Sequence, residues 1–334
     1  MYFLMTTLKL IILLCCSSTV AISYGQTSKA DTTLRLEEVV VTGSGTERPI
    51  SQSPGSIHVV TPLLLRNSPA QSVDDILSML SGVNTTRSDG ISNMHTNVSI
   101  RGLAGDEQGR TLVLFDGIPI NTSDEGSVNW NSIHIDNVQR IEVFKGPGSS
   151  LYGNSAMGGV INIISKRPVS PFSLNASGSY GSLNTWKTDL GLSSRINDKF
   201  AIFLSGYYNK SDGFNNIPDS LRTEPDYSVA RFMKEGGLYA KVLYNPTALF
   251  NVDLAYDLYR DKRGEGEKIQ APDGEYRHFN HNRVQSRFYG EKGKSSTVSF
   301  WIVYRHKGKS VKKSGMDQLT AISPVRRRWS MWTM

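Results

Sequence analysis

From residue 172 onward the chain alternates. Phe172-Ser-Leu-Asn-Ala-Ser-Gly-Ser-Tyr180 puts apolar side chains on one face of an extended strand and small polar ones on the other. Phe250-Asn-Val-Asp-Leu-Ala-Tyr-Asp-Leu258 does so again, with Phe250, Val252, Leu254, Tyr256 and Leu258 on one side. A period of two belongs to strands, and no helix presents it as a single face. Similar runs near 184–194, 199–209, 233–244, 283–291 and 296–307 give about seven strands. Tight turns at Asn197-Asp198 and Asn245-Pro246 alternate with long polar stretches at 211–232 and 261–282. Tyr180, Trp186, Tyr207, Tyr208 and Tyr259 gather near strand ends. Long amphipathic strands, alternately short and long connections and aromatic girdles predict an antiparallel transmembrane β-barrel. A soluble β-sandwich is the competing reading, but its strands are usually shorter.

The start of the chain reads as an export signal. Lys9 precedes the apolar run Leu10–Cys16, and small and polar residues then lead to Gly25-Gln26, so residues 1–25 are expected to be removed after Sec export. Both cysteines fall in that segment, which leaves the mature chain without disulfides and dependent on sheet pairing or a large core. Past residue 25 no apolar window is long enough for a transmembrane helix. The formal net charge of +7 is confined to residues 301–334, where eight Lys and Arg face Asp317 alone, and the rest of the chain is balanced. A nucleic-acid partner is therefore not expected.

Residues 46–167 read as a compact α+β unit. Val73, Ile76, Leu77 and Leu80 recur at helical spacing, with Ser72 and Asp75 as a capping pair and Gly82 as the stop. Strands are expected at Thr111–Phe115, Ile118–Ile120, Arg140–Phe144 and Val160–Ser165, the first two joined by the turn pair Asp116-Gly117. Between the last two lies Gly148-Ser-Ser-Leu-Tyr-Gly-Asn-Ser155, one residue away from a phosphate-binding loop. Position 154 is Asn where that chemistry needs a lysine, and two glycines and a β-branched run follow where it needs a helix. The glycines are expected to serve tight turns and close backbone approach instead. His278 and His281 fall in the predicted 261–282 loop with too few ligands for a metal site, and neither a cofactor nor enzymatic machinery is expected.

Arg140-Ile-Glu-Val-Phe-Lys-Gly-Pro-Gly-Ser-Ser-Leu-Tyr-Gly-Asn-Ser-Ala-Met-Gly-Gly-Val-Ile-Asn-Ile-Ile-Ser-Lys166 resembles the C-terminal signature of the plug domain of TonB-dependent outer-membrane receptors. Asn97–Gly102 and Leu112–Asn121 resemble that plug's other recurrent motifs, and Glu38-Val-Val-Val-Thr42 resembles the TonB box. The resemblance covers roughly 36–310 and implies an α+β plug at 46–167 inside a barrel of the plugged-lumen type. It implies a ligand captured outside, most often a ferric siderophore, with cobalamin or haem as variants. It also implies a flexible stretch at 26–45 whose box, Glu38, Val39, Val40, Val41 and Thr42, adds a strand to periplasmic TonB. Outer-membrane lipid is the remaining partner. Within the plug motifs the resemblance singles out Arg101, Gly102, Asp116, Gly117, Arg140, Glu142, Gly146, Pro147, Tyr152, Gly153, Gly158 and Gly159. Arg101, Arg140 and Glu142 are expected to pair with the barrel's inner wall as a displaceable lock.

The match departs from the family pattern at the C-terminal end. About seven strands at 168–313 cannot close around a plug, and unpaired edges do not sit in lipid. Residues 314–334 form a basic tail in which the alternation stops, of the kind a frameshift leaves. The expectation is an incomplete barrel, with a non-transporting ligand- or TonB-binding component, or an inactive fragment, as the alternative to a transporter.

Overall fold

A computed structural model describes residues 39–40, 42, 48–53, 55–87, 96–103, 110–122, 126–215, 230–247, 250–264, 276–291, 297–312 and 328–333. The leader expected at 1–25, and Glu38 and Val41 of the expected box, lie outside these residues. β1 (Val39–Val40) and β2 (Arg48–Pro49) form an antiparallel pair. β3 (Ser56–Val60) leads to two short helices, α1 (Pro62–Asn67) and α2 (Val73–Ser78), and β4 (Val83–Thr86) pairs with β5 (Asn97–Ile100). β6 (Thr111–Phe115), β7 (Ile118–Pro119), β8 (Val138–Lys145), a single turn α3 (Ser149–Tyr152) and β9 (Gly159–Ser165) complete the N-terminal unit. Its main sheet runs β3-β8-β9-β6-β7, with β6 parallel to β9 and the other pairs antiparallel.

Local chemistry accounts for these elements. Thr61 caps α1 by accepting the Leu64 amide at 3.2 Å, with Pro62 at the first helical position, where its missing N–H costs nothing. The Asp75 carboxylate accepts the Ser72 amide at 3.1 Å at the start of α2. That helix is shorter than its apolar spacing predicts, ending at Ser78, because Met79 already turns and Gly82 takes a φ of 72°. Val73, Ile76 and Leu77 nevertheless face the core, where they meet Ile100, Ile141, Val143, Ile161 and Ile163.

β10 (Ser173–Gly181), β11 (Thr185–Arg195), β12 (Phe200–Ser211), β13 (Met233–Thr247), β14 (Phe250–Gly264), β15 (Tyr276–Glu291), β16 (Thr297–Lys312) and β17 (Arg328–Thr333) form one antiparallel meander in sequence order. The sheet is open, since β10 and β17, its two ends, are not paired with each other among the described residues. Strands of up to 16 residues exceed sandwich length and reach about 50 Å at the usual rise. No helix among the described residues is long and apolar enough to cross a membrane.

Three expectations are corrected here. The connection expected at 261–282 is shorter, because β14 runs on to Gly264 and β15 starts at Tyr276. Asn245-Pro246 is not a turn but the end of β13, at an irregularity between Tyr244 and Thr247. Residues 328–333, expected to lack strand character, pair with β16 from Arg305↔Arg328 to Phe300↔Thr333, which makes eight strands. Arg328-Trp-Ser-Met331 alternates polar and apolar after the basic run, and the β-prone Trp and Thr that follow are compatible with a strand.

The alternation resolves into two faces. Odd positions such as Phe203, Ser205, Tyr239, Lys241 and Ala255 are buried, and even positions such as Leu204, Leu238, Leu254, Tyr256 and Val284 are exposed and apolar. Phe203, Tyr239 and Ala255 join the core of the N-terminal unit, with Tyr239 edge-on to Phe115 at 5.9 Å. The polar inner face therefore wraps the α+β unit, and the exposed apolar face is what lipid would cover.

Candidate functional site

The box residues that the structure describes are tied to the N-terminal unit. Val40 is buried in β1, and Thr42 is fully buried. The Thr42 amide and hydroxyl both donate to Glu142 Oε2, at 3.0 and 2.6 Å, and the Tyr152 hydroxyl donates to the Thr42 carbonyl at 3.1 Å. Arg140 sits two residues before Glu142 on β8, hence on the same face, and its guanidinium holds the other oxygen, Oε1, at 3.0 Å. Burial, and then the charge of Glu142, push the Tyr152 phenol up to about 12, so it remains a donor at any ordinary pH.

A second set of polar contacts joins the unit to the inner wall. Asp116 occupies the β6–β7 turn with φ 49°, beside Gly117 at 84°. Its carboxylate accepts the Ser165 amide at 2.9 Å, the Ser165 hydroxyl at 2.7 Å and the Lys241 ammonium at 2.9 Å. Burial alone would raise this carboxyl, but Lys241 and the two Ser165 donors outweigh it and pull it down to about 2. Arg167 meets Asp253 at 2.9 Å, Ser205 donates to Asn137, and His134 pairs with Asp189 at 2.8 Å while stacking on Tyr207. The two sets are connected. Glu142 lies opposite Asn162 in the β8–β9 ladder, and Asn162 accepts the Gly117 amide at 3.2 Å.

The expected lock is therefore arranged differently. Arg140 pairs with Glu142, Glu142 in turn holds Thr42, and Arg101 is exposed at φ 54°, its amide donating to the Gly82 carbonyl at 2.9 Å. Contacts to the wall come instead from Asp116, Asn137, His134 and Arg167, on turns and at the unit's C-terminal end. Turns reach outward, whereas Glu142 on β8 is fully buried, with Thr42 seated on it.

The glycine loop folds as its chemistry requires. Ser149–Tyr152 makes one helical turn, Gly153 breaks it at φ 82°, and the chain re-enters β9 at Gly159. Gly158 donates to the Arg110 carbonyl at 2.8 Å, Gly146 and Gly102 take positive φ, and Pro147 is exposed. His278 and His281 lie on β15 rather than in a loop, and three residues apart on a strand they point to opposite faces. They cannot share a metal.

Several functional groups carry no sequence signal of their own. Asp74 is buried in α2, where it accepts the Thr96 hydroxyl at 2.6 Å and pairs with Arg87, while Trp130 donates to the Thr96 carbonyl at 2.9 Å. On the wall, Arg263 holds Asp261 at 3.0 Å and also pairs with Glu235. Between unit and wall, Asn129, Phe279, His281 and Arg283 line a cavity of about 10 Å³, room for about one water.

Comparison with known proteins agrees with this geometry. Residues 49–160 match the family described as TonB-dependent Receptor Plug Domain. A curated relative, the vitamin B12 transporter BtuB of Vibrio cholerae serotype O1, is 30% identical over 182 residues, covering 54% of this chain and 29% of that protein. The siderophore receptor PirA of Pseudomonas aeruginosa superposes with a TM-score of 0.55 at 24% identity, over 78% of this chain and 42% of that one. A mutant of the ferric enterobactin receptor PfeA, also of P. aeruginosa, gives 0.62 at 19% identity, over 81% and 43%. At these identities the structural likeness speaks for the fold.

Proposed function

We propose that this chain, a TonB-dependent receptor plug domain joined to strands of the receptor barrel fold, serves energised uptake of a scarce ligand across a Gram-negative outer membrane. A ferric siderophore is the first ligand class, with cobalamin or haem as variants. The siderophore and vitamin B12 receptors among the relatives support both classes. The match spans only 29% of the curated relative's length, so transport is assigned to the receptor as a whole.

The observation that carries the reading is the seat of Thr42. A β-prone segment is parked by two bonds to one carboxylate and one from a phenol, and among its described residues Val39 and Val40 are paired in a sheet. Hydrogen bonds to a charged group are worth about 1.5–3 kcal/mol. That holds the segment at rest yet lets a partner offering a longer strand displace it. Ligand on the outer face would loosen this seat through Asn162 and the Asp116 turn, and TonB would then take residues 38–42 as an added strand.

Calorimetry of a Leu36–Thr42 peptide with the C-terminal domain of TonB tests the assignment. Saturable binding is expected, lost on Val40→Pro, which removes a backbone donor and fixes φ, and kept on Val40→Thr. Equal binding by the wild-type and proline peptides would sink it.

A further inference from the structure

The seam between plug and wall holds three metal-ligating side chains that neither the seat nor the Asp116 anchor uses. His134, Asp136 and Asp189 each offer one ligand atom, and these atoms lie within 4.8 Å of one another. His134 and Asp136 come from the turn before β8, Asp189 from β11 of the wall, so the set closes only when plug and barrel are docked. We infer that His134, Asp136 and Asp189 form a divalent-cation site that clips the plug to the barrel wall.

The donor set is one imidazole and two carboxylates, which suits a borderline first-row ion such as Zn²⁺ and leaves positions for water. The ligands are held before any ion arrives. The Asn137 amide donates to the His134 carbonyl at 3.0 Å, the Lys166 amide to the Asn137 carbonyl at 2.8 Å, and Asn137 also receives Ser205 of the wall. The turn is thus pinned on both sides of its ligands. His134 is stacked on Tyr207 with ring centroids 4.0 Å apart, which fixes the plane of the imidazole. The Ser177 hydroxyl donates to Asp189 Oδ2 at 2.9 Å and leaves Oδ1 to face His134 Nε2 at 2.8 Å. Without an ion that contact is a hydrogen bond. Tetrahedral bonds to Zn²⁺ of about 2.0–2.2 Å set ligand atoms about 3.4 Å apart, so the exposed Asp136 side chain swings in by about an ångström and the His134–Asp189 contact opens slightly to complete the site. Asp136 is exposed, which gives the ion a route in from solvent. An ion bonded to both bodies adds an attachment that must break before the plug moves.

The test uses the full chain in detergent micelles, with Co²⁺ as the spectroscopic probe and Zn²⁺ as competitor. The expected result is one equivalent of Co²⁺ with visible d–d absorption, displaced by Zn²⁺. Asp136→Asn, an exposed change that leaves the fold alone, should weaken binding about tenfold or more, and His134→Gln should abolish it. His278→Gln, on the other side of the wall, should change nothing. In hydrogen exchange, Zn²⁺ should slow the amides of 133–137 in the wild type and not in Asp136→Asn. Absence of Co²⁺ binding, or equal binding by the wild type, Asp136→Asn and His134→Gln, would overturn the site and leave His134–Asp189 an ion pair only.

Discussion

Thr42 and Glu142 are 100 residues apart in sequence, yet one oxygen of Glu142 receives both the amide and the hydroxyl of Thr42, at 3.0 and 2.6 Å. The segment that the proposed function hands to a partner is therefore gripped by the strand that carries the most recognisable motif in the chain. Arg140 neutralises the opposite oxygen at 3.0 Å, which stabilises a carboxylate that is otherwise fully buried.

Loosening this grip should follow the strength of each contact. Glu142→Ala removes both bonds to Thr42 and strands Arg140, so it should raise the opening of the segment most. Thr42→Val removes one charge-assisted bond, worth about 1.5–3 kcal/mol, and should raise opening about 10–100-fold. Tyr152→Phe removes one neutral bond, about 0.5–1.5 kcal/mol, and should have the smallest effect. Amide exchange at Thr42 measures the order. An effect of Tyr152→Phe as large as that of Glu142→Ala would contradict it.

The Asp116–Lys241 contact makes docking of plug and wall pH-dependent. Asp116 is held at about 2 against an ordinary 3.8, so its folded value is the depressed one. Its contribution is then fully present above about pH 4 and fades as pH falls towards 2, a difference of about 2 kcal/mol. Denaturant unfolding of wild type and Asp116→Asn should show a stability gap at pH 6 that narrows by about two thirds of that amount at pH 2.5. Lys241→Met leaves the carboxylate buried without its partner and should cost about 3–5 kcal/mol at neutral pH. A gap that stays constant with pH would mean that Lys241 does not set the protonation of Asp116.

Legibility in the sequence followed the range of the interaction. Helix α2 and strands β6 and β8 could be read from spacing, because the apolar faces of Val73, Ile76 and Leu77 or of Leu112–Phe115 are local patterns. The wall strands were legible for the same reason, and the lipid-side row of Leu254, Tyr256 and Leu258 is the one the period of two predicts. Lys241 and Asp253 gave no such signal, since a charge on an amphipathic strand looks alike whether it faces water or a partner from another domain. Their roles depend on which plug turn arrives opposite them, and that is fixed by the whole fold. The box was legible as a β-prone run but not as a seated one, because its partner Glu142 lies so far along the chain. Arg140 pairs with Glu142 because the two, two residues apart on β8, share one face of the sheet.

The last prediction separates the two roles that glycine takes in the signature. A Cβ at Gly159 would lie 2.3 Å from the Phe144 carbonyl oxygen and 2.7 Å from Ile100 Cδ1, so the β8–β9 pairing would have to part to admit it. A Cβ at Gly153 would meet nothing within 4 Å, although its φ of 82° disfavours any side chain. Gly159→Ala should therefore destabilise by about 3 kcal/mol or more, through overpacking next to a buried backbone. Gly153→Ala should cost about 1–2 kcal/mol, from backbone strain alone. Hydrogen exchange distinguishes the two mechanisms as well as the magnitudes. Protection along β8 and β9 should fall in Gly159→Ala and persist in Gly153→Ala. Neither the wild type nor either variant should bind ATP, because Asn154 carries no charge and the loop holds just two single turns, Ser149–Tyr152 and Asn154–Ala156, before the chain enters β9. Equal stability of the two variants would show that close approach at Gly159 does not hold the signature strands together. Saturable ATP binding lost on Gly153 substitution would restore the phosphate-loop reading that the missing lysine argues against.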